Sequence, residues 1–483
     1  MSQTSNQPQP LLLEDIEWVQ QKNRDDVGRV FKYNNRIFRA IYNDKKNYVI
    51  KLLNSSFFAD LTIHNLFPKT WISKFSLPDF DLIVEHEVIS PIIYPQEWSF
   101  SMLKDAALMI IQVAKLCRKY NYNMKDCHSL NVVFSGNKPF YVDLGSFHEG
   151  TNLVSGWEPY EEFLRCYYYP LYMWSSGQDF TSKLSIFSGH LMPHHEFYTF
   201  KYKFLSIFSS GAIDLFFKLK ISPYLFTINP YLGARIKSNS TFLYFLFRPL
   251  IAIAKHRNNQ SLDLFGLEKK IQALQKKKSR TQWSDYQSIN IQKQERYSKV
   301  ISLINSHCTN ITSAIDIAGN QGLFSCQLLE HTSLQHVICQ DLDEYAINTG
   351  YNQFKSQPFL DNKSLQFVNY NPFTTIIRSG TQSADVRFNS DLVVSLALLH
   401  HLVLTQGYSF EYVLDILNGY TSRYICIEFM PKGLWSRGSK VSVPSFYTLD
   451  SFSRQFTQKF SLLAQHQVDE NYIVFIGEKI SRH

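Results

Sequence analysis

The stretch AIDIAGNQGLFS, Ala314 to Ser325, constrains the fold more than any other part of this chain. Ala314 to Ile317 form an apolar run of strand length, Gly319 and Gly322 supply a turn, and Leu323 to Ser325 open a helical pattern. A second apolar run, HVICQD, ends at Asp341, nineteen residues after Gly322. Strand, glycine turn, helix, and a second strand ending in an acid make a nucleotide-type βαβ unit, in which the acid lies over a bound ribose.

The turn argues against a dinucleotide. G-x-G-x-x-G is needed where the backbone must approach a pyrophosphate closely, and here Ala318 and Asn320 stand where further glycines would be. S-adenosylmethionine (SAM) has no phosphate. Its carboxylate suits the free N–H groups of a helix start, and its cationic groups favour a nearby carboxylate such as Asp316. The cofactor residues expected from this unit are Asp316, Ala318, Gly319, Asn320, Gly322 and Asp341. A glycine turn alone also occurs in α/β crossovers that bind nothing.

Residues 291–483 alternate strands and helices, which predicts a doubly wound parallel α/β sheet with strands at 313–317, 336–340, 365–369, 391–396, 423–428 and 472–477. Ligands bind at the carboxyl edge of such sheets. That edge adds Asp343, then Asn369 as an adenine contact or a turn residue before Pro372, then His400, His401 and Glu428. Histidine accepts protons near neutral pH, so the pair is read either as general bases at the acceptor, with Glu428 as a further candidate base, or as one packed and one solvated side chain. No local set of further ligands suits zinc.

With 483 residues, two or three domains are expected. Charged residues at 19% and hydrophobic ones at 45% exclude a disordered chain. The basic cluster Lys269, Lys270, Lys276, Lys277, Lys278 and Arg280 lies on an amphipathic helix and reads as a solvated face. No nucleic-acid-binding signature accompanies it. The cysteines Cys117, Cys127, Cys166, Cys308, Cys326, Cys339 and Cys426 never pair as C-x-x-C, which predicts free thiols in a reducing, cytoplasmic setting. The N-terminus lacks a signal-peptide layout. The apolar window Phe242 to Ala254 is broken by Arg248 and Pro249 and is too short to span a membrane.

In the N-terminal half, RVFKY and RIFRAIY around Asn34 and Asn35 predict a hairpin, and Met102 to Tyr120 a helix. Asp126 and Asn131 are five apart, and Asp143-Leu144-Gly145 follows. Protein kinases space their catalytic Asp, metal-binding Asn and Asp-Phe-Gly comparably. No glycine-rich loop precedes the set, and Lys51 falls in a helical pattern. Residues 1–12 read as a disordered lead, 13–150 as an α+β kinase-like module, 151–290 as a mainly helical connection, and 291–483 as the doubly wound domain.

The strings DIAGNQG, QDLDEYA, LVVSLALLHHL and ICIEFMPK resemble a bacterial family of class I SAM-dependent methyltransferases related to a host-specific nodulation protein. The upstream segments from Val84 to Leu108, MKDCHSLNVVF, PFYVDLGSF, GWEPYEEFLRCYYYPL and WSDY are similar to that family as well. The resemblance implies methyl transfer from SAM to a small-molecule or saccharide acceptor. Two alternatives stay open: a phosphotransferase using Asp126, Asn131 and Asp143, and a non-catalytic binding protein.

Overall fold

In the computed structural model, the residues described are 9–19, 25–150, 157–188, 191–214, 263–277, 293–357, 363–374, 382–434 and 443–480. The window 242–254, Lys278, Arg280 and WSDY lie outside them. Contacts divide the chain into two compact units, one of Met1–Ile89, Leu103–Phe134 and Pro139–Lys277, the other of Ser90–Met102, Ser135–Lys138 and Lys278–His483. This division cuts across the linear boundaries expected from the sequence.

The first unit holds a five-stranded antiparallel sheet in the order Glu17–Trp18, Gly28–Tyr33, Arg36–Ile41, Leu82–His86, Thr70–Ile72. Its central hairpin turns at Asn34 and Asn35, both left-handed at φ 48° and 58°. Asparagine tolerates that conformation, and the resulting turn matches strand twist. Phe31, Phe38, Phe75 and Ile83 form its core. Leu11 joins them at 3% exposure, and Gln9–Pro10 pairs with Phe75–Ser76. Residues 9–12 of the lead expected to be disordered are therefore structured. Lys51 sits on a helix, Lys46–Leu53, as its pattern predicts. The described part of the aromatic stretch is helical, with Tyr169 stacked on Phe197 at 3.9 Å. The helix Leu264–Ala273 buries Leu264, Leu267 and Ile271 and leaves Lys269 and Lys270 exposed. All seven cysteines are buried and free. No helix among the described residues is long and apolar enough to cross a membrane.

The second unit is an α/β fold. Its strands are β1 (Ser313–Ile317), β2 (His336–Asp341), β3 (Ser364–Asn369), β4 (Ser390–Ser395), β5 (Thr421–Phe429), β6 (Phe460–Asp469) and β7 (Tyr472–Lys479). They form one sheet in the order β3-β2-β1-β4-β5-β7-β6. β1 to β5 are parallel, and β7 runs antiparallel to both neighbours. Their near-continuous apolar runs bury both faces, as a covered parallel sheet requires. The order reverses between β1 and β4, the kind of switch point where open α/β sheets bind ligands.

β6 is absent from the sequence expectation. Only Phe460, Ala464 and Val468 are buried along it, every fourth residue, and its pairing with β7 shifts register twice. Bulges destroy the two-residue alternation by which a strand is recognised.

Residues 90–102 belong to this unit through specific anchors. The Arg387 guanidinium pairs with buried Glu97, donates to Ile92 O at 2.6 Å, and lies 4.4 Å over Tyr94. Phe100 N donates to Glu344 Oε1 at 2.9 Å, and Ser101 N to Asn348 Oδ1 at 2.8 Å.

Candidate functional site

The ends of β1 to β5, and the turns that leave them, carry every residue expected to hold a cofactor or perform catalysis in this unit. After β1 the backbone is left-handed at Ala318, Asn320 and Gly322, with φ 65°, 53° and 79°. A Cβ on Gly319 would come within 2.8 Å of both the Asp316 carboxylate and the Cys339 sulfur. One on Gly322 would meet the Phe367 ring at 2.7 Å. Ala318 holds its conformation despite a penalty of roughly 1–2 kcal/mol for an L residue. Such strain persists where the surroundings over-determine the backbone, often at binding sites. The helix Leu323–His331 follows directly, so its first N–H groups open onto the turn.

Asp316 is buried and accepts a 2.6 Å hydrogen bond from Ser325 Oγ. Burial pushes its carboxyl up to about 7, offset by Ser325 and reinforced by the Asp341 charge. Asp341 faces the turn: its Oδ2 accepts from Asn320 N at 2.8 Å and its Oδ1 from Asp343 N at 2.7 Å. Burial raises it to about 6, against those backbone donors. Asn369 donates its amide to Asp341 O at 2.8 Å and Leu342 O at 3.0 Å. It staples the strand end instead of standing as a turn residue; the local turn bond comes from Asn371, whose Oδ1 accepts from Phe373 N. Asp343 caps the helix Glu344–Phe354 through Tyr345 N and Ala346 N, so its carboxylate is a structural cap. Between the two acids Leu342 is 63% exposed.

His400 and His401 start the helix Leu399–Leu404 with ring centroids 4.0 Å apart. His400 is buried, and burial together with the neighbouring imidazole lowers it to about 3. Burial lowers His401 as well, which remains half-buried. Glu428 is buried at the end of β5, where its Oε2 accepts from Ala397 N at 2.9 Å. Its Oε1 lies 3.5 Å from Arg296 Nε. A carboxylate so engaged is poorly suited to the general-base role expected of Glu428. Ser325 and Arg296 escaped the sequence reading because each meets an acid on another element, and Ser395, the last residue of β4, because a buried serine carries no pattern signal.

In the first unit, Asn131 Nδ2 donates to Asp126 Oδ1 at 2.7 Å, and Asp143 Oδ1 accepts from Gly145 N at 2.9 Å. Asp143 is raised to about 6, chiefly by burial, against the attraction of Arg39. Arg39, on the strand Arg36–Ile41, pairs with Asp25 and stands 3.9 Å from Asp143. Lys51 instead pairs with Glu149 at 2.7 Å. The strand cation beside Asp143 is thus an arginine that the sequence reading missed. Among the described residues no cluster suited to a metal ion occurs.

No protein-family model matches the chain. The nodulation protein NoeA of Rhizobium meliloti (strain 1021) is 22% identical over 477 residues, covering 92% of each chain. Among solved structures, magnesium protoporphyrin IX methyltransferase (ChlM) from Synechocystis PCC 6803 with bound SAM is 13% identical, with a TM-score of 0.30, covering 42% of this chain and 87% of its own. The N-methyltransferase NodS from Bradyrhizobium japonicum WM9 is 14% identical, with a TM-score of 0.29, covering 40% and 98%.

Proposed function

We propose that the second unit is a SAM-dependent methyltransferase, of the class I type its sequence resembles, acting on a small-molecule or saccharide acceptor. The observation that carries this reading is the 2.8 Å bond from Asn320 N to Asp341 Oδ2, which ties the glycine turn to the acid of β2 at the switch point. The residues present fit the cofactor. Gly319 and Gly322 let the turn lie directly against Asp316, Cys339 and Phe367, where a Cβ would not fit, and exposed Leu342 offers apolar surface beside Asp341. When bound, SAM supplies an electrophilic methyl group on a cationic sulfur. The first-turn N–H groups after Gly322 would hold a carboxylate, Asp316 would balance positive charge, and Asp341 would accept from ribose hydroxyls. An oxygen acceptor adds the need for a base. His401 suits that role better than His400, whose imidazole at about 3 binds a proton too weakly.

Isothermal calorimetry tests the site: the wild-type chain binds SAM and Asp341→Ala does not. Equal affinity in the two would remove Asp341 from the site.

A second reading rests on Arg39, 3.9 Å from Asp143, and on Asp126, whose charge acts on the same carboxyl. A phosphotransferase would bind Mg²⁺-ATP there and show a rise in melting temperature that Asp143→Ala abolishes. No rise in the wild-type chain would rule it out.

A further inference from the structure

Two buried polar atoms that bracket the turn after β4 have no hydrogen-bond partner among the described residues: Ser395 Oγ, at the end of β4 and 1% exposed, and His400 Nδ1, in the helix that follows and 5% exposed. Buried polar atoms are usually satisfied, and these two orphans bracket one turn at the switch point, where open α/β sheets bind ligands. Between them Ala397 is left-handed at φ 52°. An alanine leaves that conformation unless something holds it.

Glu428 holds it. Its Oε2 accepts from the Ala397 amide at 2.9 Å, and its Oε1 lies 3.5 Å from the guanidinium of Arg296, whose plane sits 4.2 Å over the Tyr472 ring. The two side chains are 0% and 5% exposed. A buried ion pair is weak evidence for stability, because desolvation offsets the attraction. Its better-attested use is to fix one geometry. We propose that Arg296 and Glu428 form a buried brace that fixes the strained turn at Ala397, and that this turn, through Ser395 and His400, is the wall that receives the methyl acceptor. The wall's orphan groups are a hydroxyl and an imidazole, so it suits an acceptor presenting an uncharged hydrogen-bonding group. The acceptor half of this inference rests on the methyltransferase reading; the brace does not.

The test uses three variants of the full chain: Arg296→Met with Glu428→Gln, Arg296→Met with Glu428→Leu, and the latter with Ala397→Gly added. Removing both charges together avoids leaving one buried and unpaired. Amide hydrogen exchange at Ala397, SAM affinity by calorimetry, and transfer of labelled methyl from SAM to fractionated extract of the source cell are measured. The Met/Gln variant retains an acceptor for the Ala397 amide and keeps its protection. The Met/Leu variant exchanges at Ala397 about tenfold faster and transfers methyl about tenfold more slowly, with SAM affinity within about threefold of wild type. Ala397→Gly restores part of the transfer, because glycine adopts positive φ freely. Unchanged protection of Ala397 in the Met/Leu variant overturns the brace. Faster exchange with unimpaired transfer overturns the acceptor wall. If the wild-type chain binds no SAM, the methyltransferase reading and the wall fall together, while hydrogen exchange still decides the brace.

Discussion

Asp316 and Asp341 face the same turn with carboxyls raised to about 7 and about 6. A carboxyl whose folded value lies above its unfolded value binds more protons when folded. Its contribution to stability therefore falls as pH rises from about 4 towards 7 in the absence of ligand. A cationic ligand favours the ionised form and reverses that loss. The melting-temperature rise given by SAM is accordingly larger at pH 8 than at pH 5.5, and Asp316→Asn flattens the dependence; scanning calorimetry across that range decides it. The sequence showed these acids because Asp341 ends one apolar run and Asp316 stands one residue before the end of the other. It did not show how they are held. Ser325 reaches Asp316 from the next helix at 2.6 Å, and Asn369 reaches the Asp341 carbonyl from the neighbouring strand. Neither spacing is a recognisable signal.

At the scale of elements, the helix Glu344–Phe354 is pressed against the glycine turn. A Cβ on Gly350 would come within 2.4 Å of Gln321 O and 2.6 Å of the Phe367 ring. Backbone cannot yield as a flexible side chain can. Gly350→Ala should therefore destabilise by about 1–3 kcal/mol, although alanine is the better helix former. It should also weaken SAM binding by displacing the turn; denaturant melts and calorimetry read the two effects separately. The parallel strands were legible because burial on both faces gives unbroken apolar runs. β6 was not, because its bulged pairing leaves only every fourth residue inside. The hairpin at Asn34 and Asn35 was legible because its turn chemistry is local.

At the scale of the whole molecule, the second unit is assembled from three stretches of chain. Glu97 and Arg387 are both buried where they pair, with side chains 7% and 5% exposed. Removing one partner leaves a buried charge without compensation, so Glu97→Ala should cost about 3–5 kcal/mol. A chain beginning at Lys278 should lose cooperative melting, and adding a peptide of residues 90–102 should restore part of it. Equal melting of the shortened and full chains would show that the segment is dispensable. Sequence reading drew its boundaries in linear order because anchors such as Glu97 to Arg387 carry no periodicity.

That pairing also bears on how such a chain can be inherited. A recombination that replaced the N-terminal half wholesale would discard SPIIYPQEWSFSM, and the recipient would receive a sheet lacking one of its supports. The thirteen-residue stretch has to travel with the C-terminal half, whatever becomes of the chain around it.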